Sequence, residues 1–566
     1  MTLLSKLFPL TAILVLPANA PAQILEAKLT APDGGAGDGN GSFVAVAPGW
    51  AFCAAPFNDD GQIDTGSVYV FHDSGAGWTF AQKLNGTNPK AWMNLGTGLS
   101  VSGSWMVASS PFDSPVPGNS GSADIYELQG GIWVHTQELI PGNIPWAYHV
   151  GTSASLAGER LVLGASEENT RSGSAYVFEL SGATWLEKIN LIASDPEPFA
   201  EFGFDVALEG DLLVAGAPRA DNAVAQSDRG AVYVFERGAS EWSFVQKLVA
   251  SDAAEDDLFG TCVDVDGTTI VVGSPWHSHG TQQEGALYVF ERGGGLWAQS
   301  VELQVPDPRV ALNFGQSVDL EGDLLVSGAH RDDDHGANSG SAYVFRRSSS
   351  SAWLQIAKIL APDAVQQAEF GSDVALAGDQ VLVGASRDDG VCPGAPLNCD
   401  AGAAYVFDLA PQAVQYGSCP TQGPCGNHDD FGGCACSSGT GAELAAAGSA
   451  SVSTDDLRFE ARWLPANKLG LFFMGGMPTS MPFGDGQLCV TSGGAGVWRF
   501  NPAQSSGAQG VLTLGPGVAG LSNSLPPGGH IQAGQIWHFQ AWFRDPAGPC
   551  GQGSNMTNAV RVMFGP

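Results

Sequence analysis

The sequence has few basic residues. It contains 24 Lys and Arg against 58 Asp and Glu, which gives a formal net charge of −34 at pH 7. A surface of this sign repels phosphate backbones and anionic lipid headgroups. The composition therefore predicts that nucleic acid is not a partner. Such acidity usually reflects a solvated surface, although it also suits a protein that meets cations or basic ligands.

Long apolar runs are also scarce. After residue 22, no apolar segment reaches the roughly 18 residues that a membrane-spanning helix needs, so we expect no membrane insertion. The early run from Leu7 to Pro17 follows Lys6 and precedes small residues ending at Ala22. This is the pattern of a secretory signal peptide over residues 1–22. A buried strand or a membrane anchor fits less well, and we expect a mature protein that is secreted, extracellular or on the cell surface.

Helix-favouring runs and catalytic motifs are missing as well. The 76 glycines, 34 prolines and frequent Val-x-Val alternation predict an all-β protein with many turns. The sequence has no nucleophile elbow, no HExxH helix and no phosphate-binding glycine loop. These absences predict that the protein is not an enzyme.

A Gly-x-x-Tyr strand recurs along the chain. Versions of it are found seven times, beginning at Gly66, Gly121, Gly173, Gly230, Gly285, Gly340 and Gly402, and only the second copy, GSADIY, lacks the tyrosine at this position. The spacing of 52 to 62 residues accommodates four short strands with their turns. A strand-type repeat of this period is typical of a β-propeller blade.

A second pair of positions precedes each of these strands at a constant separation of 13 residues. The pairs are Gly41 and Ala54, Gly96 and Ser109, Gly151 and Gly164, Gly203 and Gly216, Gly260 and Gly273, Gly315 and Gly328, and Gly371 and Gly384. Constant spacing predicts a tight hairpin of two strands, the first of which alternates apolar and polar residues. A third strand, Gly-x-x-Tyr, and a fourth, led by tryptophan, complete each blade.

The fourth strand of the last blade is missing from its expected place. Only six tryptophans lead a fourth strand (Trp78, Trp133, Trp185, Trp242, Trp297 and Trp353). Residues 24–33, ILEAKLTAPD, resemble Leu354 to Asp363 in blade six. The sequence therefore predicts that the N-terminal strand completes blade seven and closes a seven-bladed propeller over residues 23–410, which removes the exposed sheet edges of an open arc.

The rest of the chain has a different pattern. Residues 411–417 are predicted to be a linker, and residues 418–566 contain strand-like segments between Gly, Pro and Ser turns. We expect a β-sandwich or jelly-roll-like domain there.

The ten cysteines suggest disulfides in an exported chain. The candidates are Cys392, Cys399, Cys419, Cys425, Cys434, Cys436, Cys489 and Cys550, whereas Cys53 and Cys262 are expected to be buried apolar residues. Cys425, His428, Cys434 and Cys436 offer a zinc site as the alternative. The CxC spacing does not match a common zinc pattern.

The repeat resembles a known family. Phe-Gly at 202, 259, 314 and 370, with Gly-Ala-Pro at 216 and its variants, is similar to the FG-GAP repeat of integrin α subunits and of many secreted bacterial proteins. The resemblance implies a seven-bladed propeller. Integrin-type repeats carry a D-x-D-x-D-G calcium loop, but here that turn has shrunk to sequences such as Glu321-Gly322-Asp323. Because calcium needs six to eight oxygens, we expect these calcium sites to be lost and no cofactor to be required. The tail resembles a module at the ends of large secreted bacterial proteins.

Propeller geometry predicts where a ligand binds. The connections from strand two to three and from strand four to the next blade share one face, and these vary in length. Variable loops on a rigid scaffold commonly carry binding residues. The candidates on this face are Trp92, Trp146, Tyr148, Trp276, His277, Asp332, Asp333 and Asp334. The aromatic residues could instead cover the space between blades, and the acidic ones could be solvated loop charge.

The leading hypothesis is a non-enzymatic extracellular binding or adhesion protein whose ligand is a protein or a glycan. A carbohydrate-active enzyme is an alternative, since paired carboxylates hydrolyse glycosides and Asp205, Asp264, Asp319 and Asp373 alternate with apolar residues on first strands. A structural component of a cell envelope is a further alternative. The sequence leaves the oligomeric state open.

Overall fold

The computed structural model describes most of the chain. The described residues are 24–75, 77–115, 120–142, 149–221, 227–239, 241–279, 282–305, 312–349, 352–389, 399–409, 413–416, 436–437, 441–447, 450, 452, 455, 457–492, 496–532, 535–548 and 551–564. The predicted signal peptide lies outside them. The chain divides into two compact units, Met1–Asp408 and Leu409–Pro566.

Among its described residues, the first unit contains seven four-stranded antiparallel sheets, one for each predicted blade, and a small two-stranded sheet of Ser278–His279 and Gln282–Gln283. In order from first to fourth strand they are Phe43–Ala47, Trp50–Ala55, Ser67–Asp73 and Trp78–Leu84; Leu99–Ser102, Trp105–Ser110, Ser122–Gln129 and Ile132–Leu139; Ala154–Ala157, Arg160–Ala165, Ser174–Ser181 and Thr184–Leu191; Val206–Glu209, Leu212–Ala217, Ala231–Arg237 and Trp242–Leu248; Val263–Asp266, Thr269–Ser274, Ala286–Gly293 and Leu296–Leu303; Val318–Glu321, Leu324–Ala329, Ser341–Ser349 and Ala352–Ile359; Phe370–Ala377, Gln380–Ala385, Ala403–Asp408 and Ile24–Leu29. This confirms the predicted propeller.

The N-terminal strand closes the ring as predicted. Ile24–Leu29 pairs antiparallel with Ala403–Asp408, with Lys28 opposite Tyr405. Leu29 is buried in a core shared with blade one, and the Lys28 ammonium lies 2.8 Å from a carboxylate oxygen of each of Asp363 and Asp388. An apolar anchor and two ion pairs therefore hold the closing strand in place.

The Phe-Gly and Gly-Ala-Pro motifs are explained by contacts between blades. Phe259 is buried against Tyr288 and Phe290 of its own blade, while its backbone bridges to Gly230 of the preceding blade. A Cβ on Gly230, which has φ +84°, would lie 1.9 Å from the Phe259 carbonyl oxygen, and a Cβ on Gly216 would lie 2.1 Å from that of Gly260. Glycine is needed at both positions because neighbouring backbones touch there.

Glutamines of the fourth strands join some blades at their outer edges. The Gln82 amide donates to the Trp133 carbonyl oxygen (2.8 Å) and accepts from the Trp133 N–H (3.1 Å). Gln137 makes the same pair of bonds with Trp185, and Gln246 makes it with Trp297. The tryptophan that begins a fourth strand is thus fixed by the previous blade.

The second unit is also mainly β. Its largest sheet orders the strands Ala413–Tyr416, Gly553–Met563, Ile536–Asp545, Leu469–Gly475 and Val497–Arg499, with Gln504–Ser505 also on Leu469–Gly475; the others contain Glu443–Ala447, Arg458–Arg462 and Leu512–Leu514, and Met477–Phe483 with Gly486–Thr491. Phe459 stacks on Phe539 across the first two sheets (centroids 4.4 Å apart), within one core. Two sheets enclosing a common core form a sandwich.

Helices are few and short in the part of the chain that the structure describes. They are Glu168–Arg171, Val518–Ser522 and the 3₁₀ turn Pro527–Gly529. Among the described residues, no helix has the length and apolar character needed to span a bilayer.

Candidate functional site

The two variable sets of connections lie on one face of the propeller, which we call the loop face. Backbone hydrogen bonds join them at successive blade junctions: the Trp92 N–H donates to the Ile63 carbonyl oxygen (2.8 Å), the Phe199 N–H to Thr170 (3.1 Å) and the Gln367 N–H to Ala337 (2.8 Å). Each bond connects a strand-two-to-three loop with the chain entering the next blade. These backbone hydrogen bonds therefore hold the loops of neighbouring blades to one another on the loop face.

One equivalent residue in each blade forms a ring on this face, which we call the rim. It lies three residues after the second position of the 13-residue pair: Phe57, Phe112, Glu167, Arg219, Trp276, Arg331 and Arg387. A turn follows strand two, closed in blade five by a bond from the His277 N–H to the Ser274 carbonyl oxygen (3.1 Å). This turn leaves the side chains of Phe57, Phe112 and Trp276 between 41 and 49% exposed.

Trp92 and Phe199 form a second exposed pair on the loop face. They occupy equivalent places before strand one, with left-handed φ values of 67° and 68°, and their side chains are 58 and 56% exposed. A bulky residue with positive φ is strained by about 1–3 kcal/mol and persists only where surrounding contacts enforce it. Here the backbone bonds to Ile63 and Thr170 supply that restraint.

The predicted ligand residues have different environments. Trp92 and Trp276 are exposed, whereas Trp146 and Tyr148 lie outside the described residues. Asp332 is fully buried, and its carboxylate accepts from the Ser341 hydroxyl (2.8 Å) and faces the Lys358 ammonium (2.7 Å). Asp334 faces the same ammonium (2.8 Å), Asp333 is exposed, and His277 is buried. Among the described candidates, Asp332 and Asp334 meet at Lys358, while Trp92 and Trp276 present exposed rings.

The buried acids belong to a recurrent cluster that the sequence analysis missed. In four blades, a strand-four lysine lies opposite the strand-three tyrosine with its ammonium 5.0 to 5.2 Å from the ring centroid: Lys28 and Tyr405, Lys83 and Tyr69, Lys247 and Tyr233, and Lys358 and Tyr343. Each lysine also contacts a loop-face carboxylate, as Lys247 does with Asp195 (2.8 Å). The available signal was a lysine before Leu or Ile in strand four, which recurs in all four blades.

The first strands of all seven blades surround a central channel of about 680 Å³. Glu167, Arg171, Glu201 and Phe204 also line it, so the channel extends to the loop face near blades three and four. Arg171 is ion-paired with Glu201, whose other carboxylate oxygen lies 3.3 Å from the Arg219 guanidinium. The channel mouth therefore carries charge of both signs.

The four first-strand aspartates link consecutive blades across the channel wall. Asp205 accepts from its neighbour Val206 N–H (2.9 Å) and from Val263 N–H of the next blade (2.8 Å). Asp264, Asp319 and Asp373 bridge to the N–H groups of Leu320 (2.6 Å), Leu376 (2.7 Å) and Val44 (2.8 Å). Ser100 and Ser155 make the corresponding bonds to Leu156 and Leu208. These side chains satisfy donors on the exposed edges of six first strands, those of blade one and blades three to seven.

Desolvation within the narrow channel perturbs these carboxyl groups. It raises the pKa of Asp205 and Asp373 to about 7 and that of Asp319 to about 6, while their backbone hydrogen bonds oppose the rise. Asp264 shares a hydrogen bond with Asp319, and burial and that neighbour raise its pKa as well. The channel wall can therefore hold protons close to neutral pH.

The shortened turns between strands one and two also connect blades. Glu209 accepts from the Gly267 N–H (2.5 Å) and Glu321 from the Gly378 N–H (2.6 Å), each in the next blade. Where integrin-type repeats place calcium ligands, these carboxylates thus contact backbone amides.

The cysteine predictions are resolved only in part. Cys53 and Cys262 are buried free thiols, as expected. Cys436 and Cys489 are buried, with their sulfurs 3.6 Å from the carbonyl oxygens of Trp463 and Gln487, and a disulfide is not shown at either position. Cys399 is also buried. The candidates Cys392, Cys419, Cys425, Cys434 and Cys550, with His428, lie outside the described residues.

Comparison with known families identifies the repeat. The FG-GAP repeat family matches residues 24–71, 185–235, 242–290, 297–345 and 353–407. Each match begins at the fourth strand of one blade and ends within the third strand of the next, so the first starts at the closing strand. The first unit is thus an all-β propeller that contains FG-GAP repeats over these five ranges. A comparison with curated protein sequences found no match.

Proposed function

We propose that the protein is a non-enzymatic extracellular binding or adhesion protein whose loop face receives a protein or glycan ligand. The observation that carries this proposal is the set of exposed aromatic side chains at equivalent positions on that face: Phe57, Phe112 and Trp276 on the rim, with Trp92 and Phe199 beside it. Aromatic side chains supply most of the energy at protein interfaces and also stack on sugar rings.

The charged rim residues suit the same role. Arg219, Arg331 and Arg387 are exposed at positions equivalent to those of the three aromatic residues. Arginine is enriched in binding interfaces because its planar group stacks and donates several hydrogen bonds. The rim thus combines apolar anchors with donors that can orient an acidic protein surface or a glycan.

The hydrogen bonds of the channel carboxylates favour a binding protein over a glycoside hydrolase. A catalytic carboxyl group has to offer an oxygen to the reacting bond, but both carboxylate oxygens of Asp205 and of Asp264 accept backbone N–H groups. Their geometry serves the joints between blades.

Arrays of extracellular proteins and glycans, probed with the mature chain, test the proposal. Ligands found this way should bind a Trp92→Ala/Trp276→Ala variant at least tenfold more weakly, because a buried aromatic anchor is worth about 2 kcal/mol or more.

The matched control is Ile132→Ala/Leu296→Ala, since these side chains are 58 and 60% exposed on strand-three-to-four hairpins at the opposite face. This variant should bind normally. Equal weakening by both variants, or none by the tryptophan variant, would refute the loop-face assignment, and turnover of an array polysaccharide would favour an enzyme.

A further inference from the structure

Blade five departs from the recurrent lysine cluster. Glu302 stands opposite Tyr288, at the strand-four position that holds lysine in four other blades. His277 takes the position of Asp332 and Asp388 in blades six and seven. Asp252 keeps the acid of the entering connection, and its carboxylate accepts from the Tyr288 hydroxyl (3.0 Å). Blade five thus has the carboxylate of Glu302 where four other blades have a lysine ammonium, and it places the His277 imidazole beside that carboxylate.

The three ligand-type groups converge on one point. The Nε2 atom of His277 lies 3.8 Å from Oδ2 of Asp252 and 3.8 Å from Oε1 of Glu302, and the three atoms lie within 4.8 Å of one another. These separations exceed a hydrogen bond. They match ligand atoms that share an ion at about 2.0 to 2.2 Å, which lie about 3 to 4 Å apart.

A second carboxylate orients the imidazole. The Nδ1 atom of His277 lies 3.0 Å from Oδ2 of Asp257, a residue that is only 2% exposed. The Ala254 N–H donates to the same oxygen (2.6 Å) and fixes it. A proton held on Nδ1 by this carboxylate turns the Nε2 lone pair toward Asp252 and Glu302. This carboxylate–histidine arrangement is the usual support of a metal-binding histidine.

The cluster is also accessible from one side. The His277 side chain is 5% exposed, but those of Glu302 and Asp252 are 21 and 44% exposed. The protein therefore supplies three ligand atoms, and the open side leaves room for water or a ligand group to complete the coordination.

We infer that Asp252, His277 and Glu302 bind a divalent first-row transition metal ion of the zinc class. Imidazole with carboxylates suits this class, whereas calcium requires six to eight oxygens. The site lies on the loop face, away from the strand-one-to-two turns that carry calcium in integrin-type repeats. It stands independently of the proposed ligand function, although it adjoins Trp276.

Zinc titration of the full mature protein after chelator treatment tests the inference, with calorimetry and with metal content measured after gel filtration. The informative variant is Glu302→Lys, because it restores the residue that four blades carry and should fold. The wild type should retain one zinc equivalent more than Glu302→Lys or Asp252→Asn. Asp257→Asn should weaken zinc binding by about 10- to 100-fold.

Asp195→Asn is the matched control, because Asp195 is the blade-four counterpart of Asp252, and it should retain zinc like the wild type. Other zinc sites in the chain would contribute equally to all variants. Equal zinc content in the wild type, Glu302→Lys and Asp252→Asn, with circular dichroism showing all three folded, would overturn the inference. The cluster would then be an ion pair around a protonated His277. Calcium bound in preference to zinc would overturn the assigned metal class.

Discussion

At the scale of single residues, the side chains of the first strands act as joints between blades. An inner strand has a free edge facing the channel, and its N–H groups need acceptors. Asp205 and Ser155 meet this need with different chemistry, since one is a carboxylate that accepts two bonds and the other a hydroxyl that accepts one. Truncating Asp205 therefore leaves two N–H groups without their acceptor, and truncating Ser155 leaves one.

We therefore predict that Asp205→Ala lowers the free energy of unfolding by about 1–3 kcal/mol and Ser155→Ala by about 0.5–1.5 kcal/mol. Urea unfolding at neutral pH measures both. The surface control is Asp323→Ala, whose side chain is 75% exposed and should change stability little. The bridging role would be wrong if Asp205→Ala were no more harmful than the control.

The raised pKa values of Asp205 and Asp373, both about 7, predict a pH dependence. Because the pKa of an Asp in the unfolded chain is about 3.8, the folded state holds more protons between about pH 4 and 7, and stability falls as pH rises through that window. The double variant Asp205→Asn/Asp373→Asn cannot titrate there.

Melting temperatures from pH 4 to 8 should therefore decline less steeply in the double variant than in the wild type. Parallel profiles for the two proteins would show that these carboxyl groups do not titrate in this window.

The sequence predicted some residue environments and not others. Burial of Cys53 and Cys262 followed from their place in alternating strands. The sequence did not predict the pairing of Asp332 with Lys358, because this pairing depends on the register between strands three and four. From the sequence alone, Asp332 resembled an exposed acidic residue of a loop. Phe57 and Phe112 were missed, although aligning the repeats at Trp276 would have found them.

At the scale of elements, the N-terminal strand replaces the missing fourth strand of blade seven. It contributes the buried Leu29 and the two ion pairs of Lys28, one with the buried Asp388. The repeat predicted this strand because Ile24 to Asp33 aligns with a complete fourth strand elsewhere. The repeat did not predict the ion pairs of Lys28 with Asp363 and Asp388, because they join residues more than 300 positions apart in the sequence.

Deleting residues 23–33 should sharply lower the melting temperature, because it removes an apolar anchor worth about 1.5–3 kcal/mol and leaves the edge of Ala403–Asp408 unpaired. Differential scanning calorimetry provides the measurement, with a chain lacking only residues 1–22 as the control. A synthetic peptide of residues 23–34 should restore part of the loss. A deletion variant that melts like the control would contradict closure by this strand.

At the scale of the whole molecule, constant and variable parts of the repeat separate by position. Glycines, phenylalanines and bridging carboxylates fix the joints between blades, while the rim residue varies from Phe to Glu, Arg and Trp. The fold was predictable because its determinants recur seven times at fixed spacing. The rim was less predictable because its members share a place in the ring and not a residue type.

The central claim is that ligands bind the loop face. Hydrogen–deuterium exchange of the mature chain, with and without a ligand from the array screen, tests this most directly. Protection should appear in the loops that carry Phe57, Trp92, Phe112, Phe199 and Trp276, and the hairpins that carry Ile132 and Leu296 should exchange as before. Protection confined to those hairpins or to residues 409–566 would contradict the account.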